Sequence, residues 1–121
     1  MEEQQLISYV MNLVGQVKLL HWATMSYAKH KALDDLHGAL SEKTDLLVES
    51  FLGKYKKQPL KVFHVEFRAT SDTKILEKFL EEERNNMENL CKKFAKAPEF
   101  QNIIQEMMTE LDKTLYLCRL Q

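Results

Sequence analysis

Apolar residues recur at intervals of three and four through most of this sequence, and that spacing constrains the fold more than any other feature. Residues three and four apart share one face of an α-helix, so the pattern predicts amphipathic helices that each bury one stripe. Only three Gly and two Pro interrupt the 121 residues. A chain of this length can bury a modest core as one domain. We therefore expect an all-α protein with a single domain over residues 1–121.

Four helices are predicted from the spacing and from the residues at their ends, over residues 2–23, 27–57, 72–96 and 98–119. Ser26 is a suitable N-cap for the second helix, because its side chain can accept a bond from a free backbone N–H. Pro59 marks the end of that helix. Pro98 is a favourable first residue for the fourth helix, since its fixed φ suits a helix start.

Residues 58–71, between the second and third predicted helices, have a different pattern. Phe63, Val65 and Phe67 alternate with polar and apolar neighbours, and a period of two indicates extended chain. Fourteen extended residues reach at most about 46 Å. This segment is therefore long enough to run the length of a helical bundle.

The second predicted helix carries four side chains that can bind a metal on its solvent face. His30, Asp34, Asp45 and Glu49 fall within an arc of about 100°. The apolar stripe of the same helix lies on another face and consists of Leu33, Leu36, Leu40, Leu47 and Phe51. The candidate ligands therefore point away from the core of their own chain.

One chain cannot bring all four of these ligands to one ion, because Asp34 and Asp45 lie roughly 16 Å apart along a helix. A second copy of the helix, packed antiparallel across a two-fold axis, would allow ligands from both ends of the helix to meet. His30 and Glu49 are equally far from a midpoint between residues 39 and 40, and so are Asp34 and Asp45. One register therefore sets His30 against Glu49 and Asp34 against Asp45, twice.

The residues nearest that midpoint favour close approach of two helices. Gly38 would face Ser41 of the other copy, and both are small. His37 would face Glu42 by the same symmetry. The sequence thus predicts a homodimer through the second helix, with higher oligomers left open.

The order His21-Trp22, His30, Asp34, Asp45, Glu49 resembles the ferroxidase-site motif of the Dps proteins, the mini-ferritins. The spacing agrees residue for residue from His30 onward, while the gap between the two His is three residues shorter here. The combination is most similar to the short ferritin-like proteins of phages and large algal viruses. The resemblance covers about the first half of the chain.

This resemblance implies a fold, a site and an activity. The fold would be a ferritin-like four-helix bundle, up-down-down-up, with a long extended crossover between the second and third helices. The implied metal ligands are two sets from two subunits: His21, His30 and Asp34 from one, and Asp45 and Glu49 from the other. The implied activity is Fe²⁺ oxidation by peroxide or oxygen, with iron sequestration or peroxide protection as the role.

The donor set itself is compatible with several metals, and the function has an alternative. Two imidazoles and three carboxylates suit Fe²⁺, Mn²⁺ or Zn²⁺ better than a thiolate-seeking ion. Carboxylates stabilise Fe³⁺ over Fe²⁺, which fits oxidation of iron. The alternative is a non-catalytic bundle that dimerises or binds a partner through the same helix and retains only a vestigial metal face.

Composition and charge argue against several other classes of protein. The net charge of −1 gives no general attraction to DNA or to anionic membranes, and DNA binding is not expected. No apolar run approaches a membrane span, and the acidic start differs from a signal peptide. We expect a cytoplasmic protein, in the host cytosol if it is viral. Cys91 and Cys118 are expected to be reduced thiols. Trp22 is expected to pack in the core, although the resemblance places it next to the metal site, where it could quench oxidising radicals.

Overall fold

The computed structural model describes residues 1–59, 61 and 63–120. Within these residues the chain forms four α-helices and no strand: α1 (Glu3–Ala23), α2 (Tyr27–Tyr55), α3 (Thr73–Lys93) and α4 (Pro98–Arg119). Buried apolar side chains from all four helices form one hydrophobic cluster. The prediction of an all-α helical bundle is confirmed.

Helices α2 and α3 are shorter than the sequence predicts, for local reasons. Lys56 adopts a left-handed conformation with φ of 53°, and its N–H bonds to the carbonyl of Leu52, so α2 stops at Tyr55. Asp72 is the N-cap of α3 rather than its first residue, because its carboxylate accepts the backbone N–H of Lys74 at 2.8 Å. The last turn predicted for α3 is instead a tight connection to α4.

The core-facing stripe of α2 is the predicted one. All five of its members are buried, with at most 2% exposure: Leu33, Leu36, Leu40, Leu47 and Phe51. Phe51 continues into an aromatic cluster with Phe94 and Phe100, whose rings meet edge to face at 5.3 Å. These aromatic contacts fix one end of α2 against α4 and the α3–α4 turn.

Helix α2 packs against both α1 and α4, and α3 packs against α4. Ion pairs between the helices give their relative directions, because low-numbered residues of one helix meet high-numbered residues of its neighbour. Each of the three neighbouring pairs is therefore antiparallel. The ion pairs are Glu3–Lys57 and Lys18–Asp34 for α1 and α2, Lys43–Glu106 and Lys54–Glu99 for α2 and α4, and Arg84–Asp112 and Glu81–Arg119 for α3 and α4.

The segment between α2 and α3 has no regular secondary structure in its described residues. Val62, which takes part in the predicted alternation, lies outside them. The buried Gln16 of α1 ties the segment down: its amide donates to the carbonyl of Arg68 at 2.6 Å and accepts the N–H of Arg68 at 2.8 Å. The ring of Phe67 lies on Gly15, where a Cβ would collide with it. The segment therefore contacts the middle of α1.

Candidate metal centre

The turn between α1 and α2 brings the two predicted histidines together. Ser26 caps α2 by accepting the N–H of Lys29 at 3.3 Å, and Thr24 accepts the N–H of Ser26, also at 3.3 Å. This short turn folds the start of α2 back on the end of α1. His21 and His30 consequently stack, with ring centroids 3.8 Å apart and an interplanar angle of 22°.

The two histidines bond reciprocally to each other's backbone. Nδ1 of His21 lies 2.7 Å from the carbonyl oxygen of His30, and Nδ1 of His30 lies 2.8 Å from the carbonyl oxygen of His21. A carbonyl oxygen only accepts hydrogen bonds, so each Nδ1 carries the proton. In the neutral ring Nε2 then keeps a lone pair. Such a bond fixes both the tautomer and the ring orientation of a metal-binding histidine.

Asp34 is one helical turn beyond His30 and adjoins the histidine pair. Its Oδ1 lies 3.9 Å from Nε2 of His21, whose side chain is only 8% exposed, while the Asp34 side chain is 53% exposed. Nζ of Lys18 lies 3.8 Å from the same Oδ1. The structure thus brings together three of the five predicted ligands and places an ammonium group beside them.

Sequence reasoning did not identify Lys18 as part of this site. The available signal was its position, since Lys18 precedes His21 by three residues and therefore shares its helix face. Burial lowers the pKa of the neighbouring His37, and the charge of Lys18 acts in the same direction. A positive group from α1 thus stands beside Asp34, one of the predicted ligands.

Asp45 and Glu49 lie farther along α2 and do not join this group. Both are exposed, and within the described residues the ion pairs of α2 involve other side chains. In the described part of the chain no three His, Cys, Asp or Glu side chains are placed to hold one metal ion. A single protomer therefore keeps the five predicted ligands in two separate groups: His21, His30 and Asp34 near the α1–α2 turn, and Asp45 and Glu49 farther along α2.

Trp22 does not pack in the core, contrary to the sequence expectation. Its side chain is 66% exposed, and Nζ of Lys18 lies 5.6 Å from its ring centroid. Gly38, the residue predicted at the two-fold axis, has nothing within 4 Å of where a Cβ would stand. The outer face of α1 and α2 is thus exposed to solvent at Trp22 and at Gly38.

A second polar group lies between α1 and α3, away from the histidine pair. The hydroxyl of Tyr9 donates to Glu83 at 3.0 Å, and the amide of Asn86 donates to the same carboxylate at 3.3 Å. Burial raises the pKa of Glu83 above its usual range, although both hydrogen bonds oppose the shift. Burial and the Glu83 charge together raise the pKa of Tyr9, so the phenol stays protonated and donates.

We expect Glu83→Gln to leave any metal chemistry of α2 unchanged and to remove a pH dependence of stability. The pKa of Glu83 is raised in the fold. Its contribution to folding stability is therefore fully present below the unfolded pKa of about 4.5 and is lost as the pH rises through the pKa of the folded state. The variant carries no such charge. Denaturant unfolding between pH 4 and 7 should therefore show a shallower decline for Glu83→Gln, and an equal slope would contradict the assignment.

None of the described helices is long and apolar enough to cross a lipid bilayer. The four helices define an all-α bundle, in which the rings of His21 and His30 are held by hydrogen bonds to each other's backbone. A model of a family of unknown function, DUF5856, matches residues 21–118, and the chain belongs to that family. All five predicted ligands lie inside the match. No curated protein and no solved structure is significantly similar to the chain.

Proposed function

We propose that this protein is a Dps-like ferroxidase that binds and oxidises Fe²⁺ at two equivalent sites shared across a homodimer. Each site would combine His21, His30 and Asp34 of one protomer with Asp45 and Glu49 of the other. The observation that carries the proposal is the reciprocal histidine pair. Each Nδ1 bonds to a carbonyl oxygen, which leaves Nε2 of each ring as the atom that could bind a metal, and Nε2 of His21 lies 3.9 Å from Oδ1 of Asp34.

The directions of the helices support a ferritin-like topology for the fold. Helix α2 is antiparallel to α1 and α4, and α3 is antiparallel to α4, so α2 and α3 run parallel. These directions agree with the up-down-down-up order, which would require a connection along the length of the bundle. The contact of Gln16 with Arg68 on the side of α1 agrees with such a crossover.

The proposed site needs the second protomer for a chemical reason. Two imidazoles and one carboxylate leave a bound Fe²⁺ with only one negative ligand from the protein. The partner's pair of carboxylates would add negative charge, which stabilises Fe³⁺ more than Fe²⁺ and thereby favours loss of an electron. With hydrogen peroxide as oxidant, two Fe²⁺ each lose one electron, and the peroxide takes up two electrons and two protons to give two waters.

Lys18 would lower the affinity of this site for Fe²⁺. Its ammonium group is 3.8 Å from Asp34 and so compensates the carboxylate in the absence of a metal. Binding of Fe²⁺ would displace that ammonium group or lie beside it at an electrostatic cost. Lys18 is therefore a positioning and charge-balancing residue in the proposed site, and it does not bind the ion.

Anaerobic titration with Fe²⁺ followed by addition of peroxide or oxygen tests the proposal. We expect saturable binding of Fe²⁺ at two equivalent sites per dimer. An optical signal of Fe³⁺ should appear after oxidant is added. Asp45→Ala should abolish most of this signal, because it removes a carboxylate from each shared site. Glu82→Ala is the matched control, since Glu82 is an exposed acid on α3 and lies outside the proposed α2 interface.

Titration outcomes separate the ferroxidase from the non-catalytic alternative. A dimer that binds no Fe²⁺ would leave only the dimerisation role for α2. Equal loss of signal in Asp45→Ala and Glu82→Ala would indicate a diffuse acidic surface in place of a defined site. Either result overturns the proposal.

A further inference from the structure

An apolar groove of about 450 Å³ runs between α1 and α2 on the open face of the bundle. Side chains of α1 form one wall, and α2 forms the other. The residues that line the groove include Ile7, Val10, Met11 and Val14 of α1 and Asp45 and Val48 of α2. The groove is continuous with the face that carries the candidate ligands, because Asp45 belongs to both.

The chain also exposes its one tryptophan on the same face. Trp22 and Met11 are 66% and 52% exposed, and Lys18 lies between them on one stripe of α1. Lys18 contacts both the Trp22 ring and Asp34 of α2. This stripe therefore borders the proposed dimer face of α2 directly.

The register of the proposed dimer places Trp22 opposite the groove of the other copy. Contacts of His21 with His30 put Trp22 level with the start of α2. In the antiparallel pairing, position 30 lies opposite position 49 of the other copy. The partner subunit's Val48 and Ile7 line the groove at that level.

The composition of the α2 face indicates that the dimer needs this contact. The α2 residues nearest the axis are small or polar, namely Gly38, Ser41, His37 and Glu42, and they supply little apolar area. A stable interface buries roughly 1,600 Å² in total. Two Trp side chains, each burying about 150–250 Å², would contribute roughly a quarter of that area.

We infer that Trp22 of each protomer docks into the α1–α2 groove of a second copy of this chain, as an apolar anchor beside each shared metal site. This inference rests on the proposed function, since it uses the same dimer register. Trp22 is thereby an interface residue, and docking would cover the ring that the single protomer exposes.

Tryptophan fluorescence reports this contact without labels, because the chain has one Trp. A dilution series of the full chain, followed in parallel by analytical ultracentrifugation, should shift the emission to longer wavelength as dimers dissociate. Acrylamide should quench the monomer several-fold more strongly than the dimer. Trp22→Ala should raise the dimer dissociation constant at least about a hundredfold, because two symmetric anchors are removed.

Two variants at exposed methionines locate the docking surface. Met11→Glu places a carboxylate at the groove and should give the long-wavelength emission of the monomer along with weakened dimerisation. Met25→Glu makes the same change at a residue that is 89% exposed in the α1–α2 turn, and it should leave both unchanged. Since both methionines are more than half exposed, neither variant should impair folding.

The outcomes distinguish this inference from the proposed function. Dimers that oxidise iron with unchanged Trp22 emission on dilution would overturn the docking and leave the shared site standing. Emission that shifts on dilution but is unaffected by Met11→Glu would overturn the groove as its location. A chain that stays monomeric at every concentration would overturn both.

Discussion

Two inactive variants of this protein should restore iron oxidation when they are mixed. We expect the homodimer of His30→Ala/Asp34→Ala to lose both shared sites, and likewise the homodimer of Asp45→Ala/Glu49→Ala. In a heterodimer of the two, one site receives both sets of lesions. The other site receives intact half-sets from each chain and should be active. No site built within one protomer can be restored in this way.

The size of the recovery follows from statistics. About half of the dimers in an equimolar mixture are heterodimers if pairing is unbiased, and each carries one intact site of two. Oxidation should therefore recover to about a quarter of the wild-type level. Subunit exchange requires reversible dissociation before mixing, and native mass spectrometry measures the heterodimer fraction.

A mixture of two single variants from the same half-site provides the control. His30→Ala and Asp34→Ala each damage the first half-set, so every site of their heterodimer carries one lesion. That mixture should show no recovery. Complementation that is absent despite abundant heterodimers in the first mixture, or present in this control, would refute sharing between subunits.

The fold was predictable from the sequence because its helices depend on local and periodic signals. The spacing of Leu33, Leu40 and Leu47 defined the buried stripe of α2, and Ser26 and Pro98 marked helix starts that the structure retains. Helix ends were less predictable. The left-handed Lys56 is an example, because the residue that usually takes this conformation is Gly, and nothing in the sequence marks a lysine there.

The candidate site was predictable in part, since its residues share one helix face. Spacing alone placed Asp34, Asp45 and Glu49 on the exposed side of α2. The reciprocal bonds of His21 and His30 were not predictable, because they depend on backbone carbonyls brought together by the α1–α2 turn. The exposure of Trp22 was also missed, since an aromatic residue next to an apolar stripe is usually buried.

Replacing Gly38 by Leu should weaken the dimer and stabilise the protomer. Nothing lies within 4 Å of a Cβ built at Gly38, so the single chain accommodates the new side chain. The protomer should become more stable by about 0.5–1 kcal/mol, because Leu favours helix over Gly. Near the two-fold axis each leucine would meet Ser41 of the other copy, and these two contacts would force the α2 helices apart. Overpacking of about 1–3 kcal/mol per copy predicts a dissociation constant raised at least about thirtyfold.

The matched control is Gly53→Leu, because Gly53 also has free space around its Cβ and lies off the candidate ligand face of α2. Both variants should raise the thermal midpoint of the monomer, measured by circular dichroism at low concentration. Only Gly38→Leu should lose dimers in ultracentrifugation and iron binding in titration, because the shared sites need both copies. If Gly38→Leu remains dimeric with unchanged iron affinity, α2 does not form the two-fold interface, and Asp45 and Glu49 cannot complete the histidine half-site.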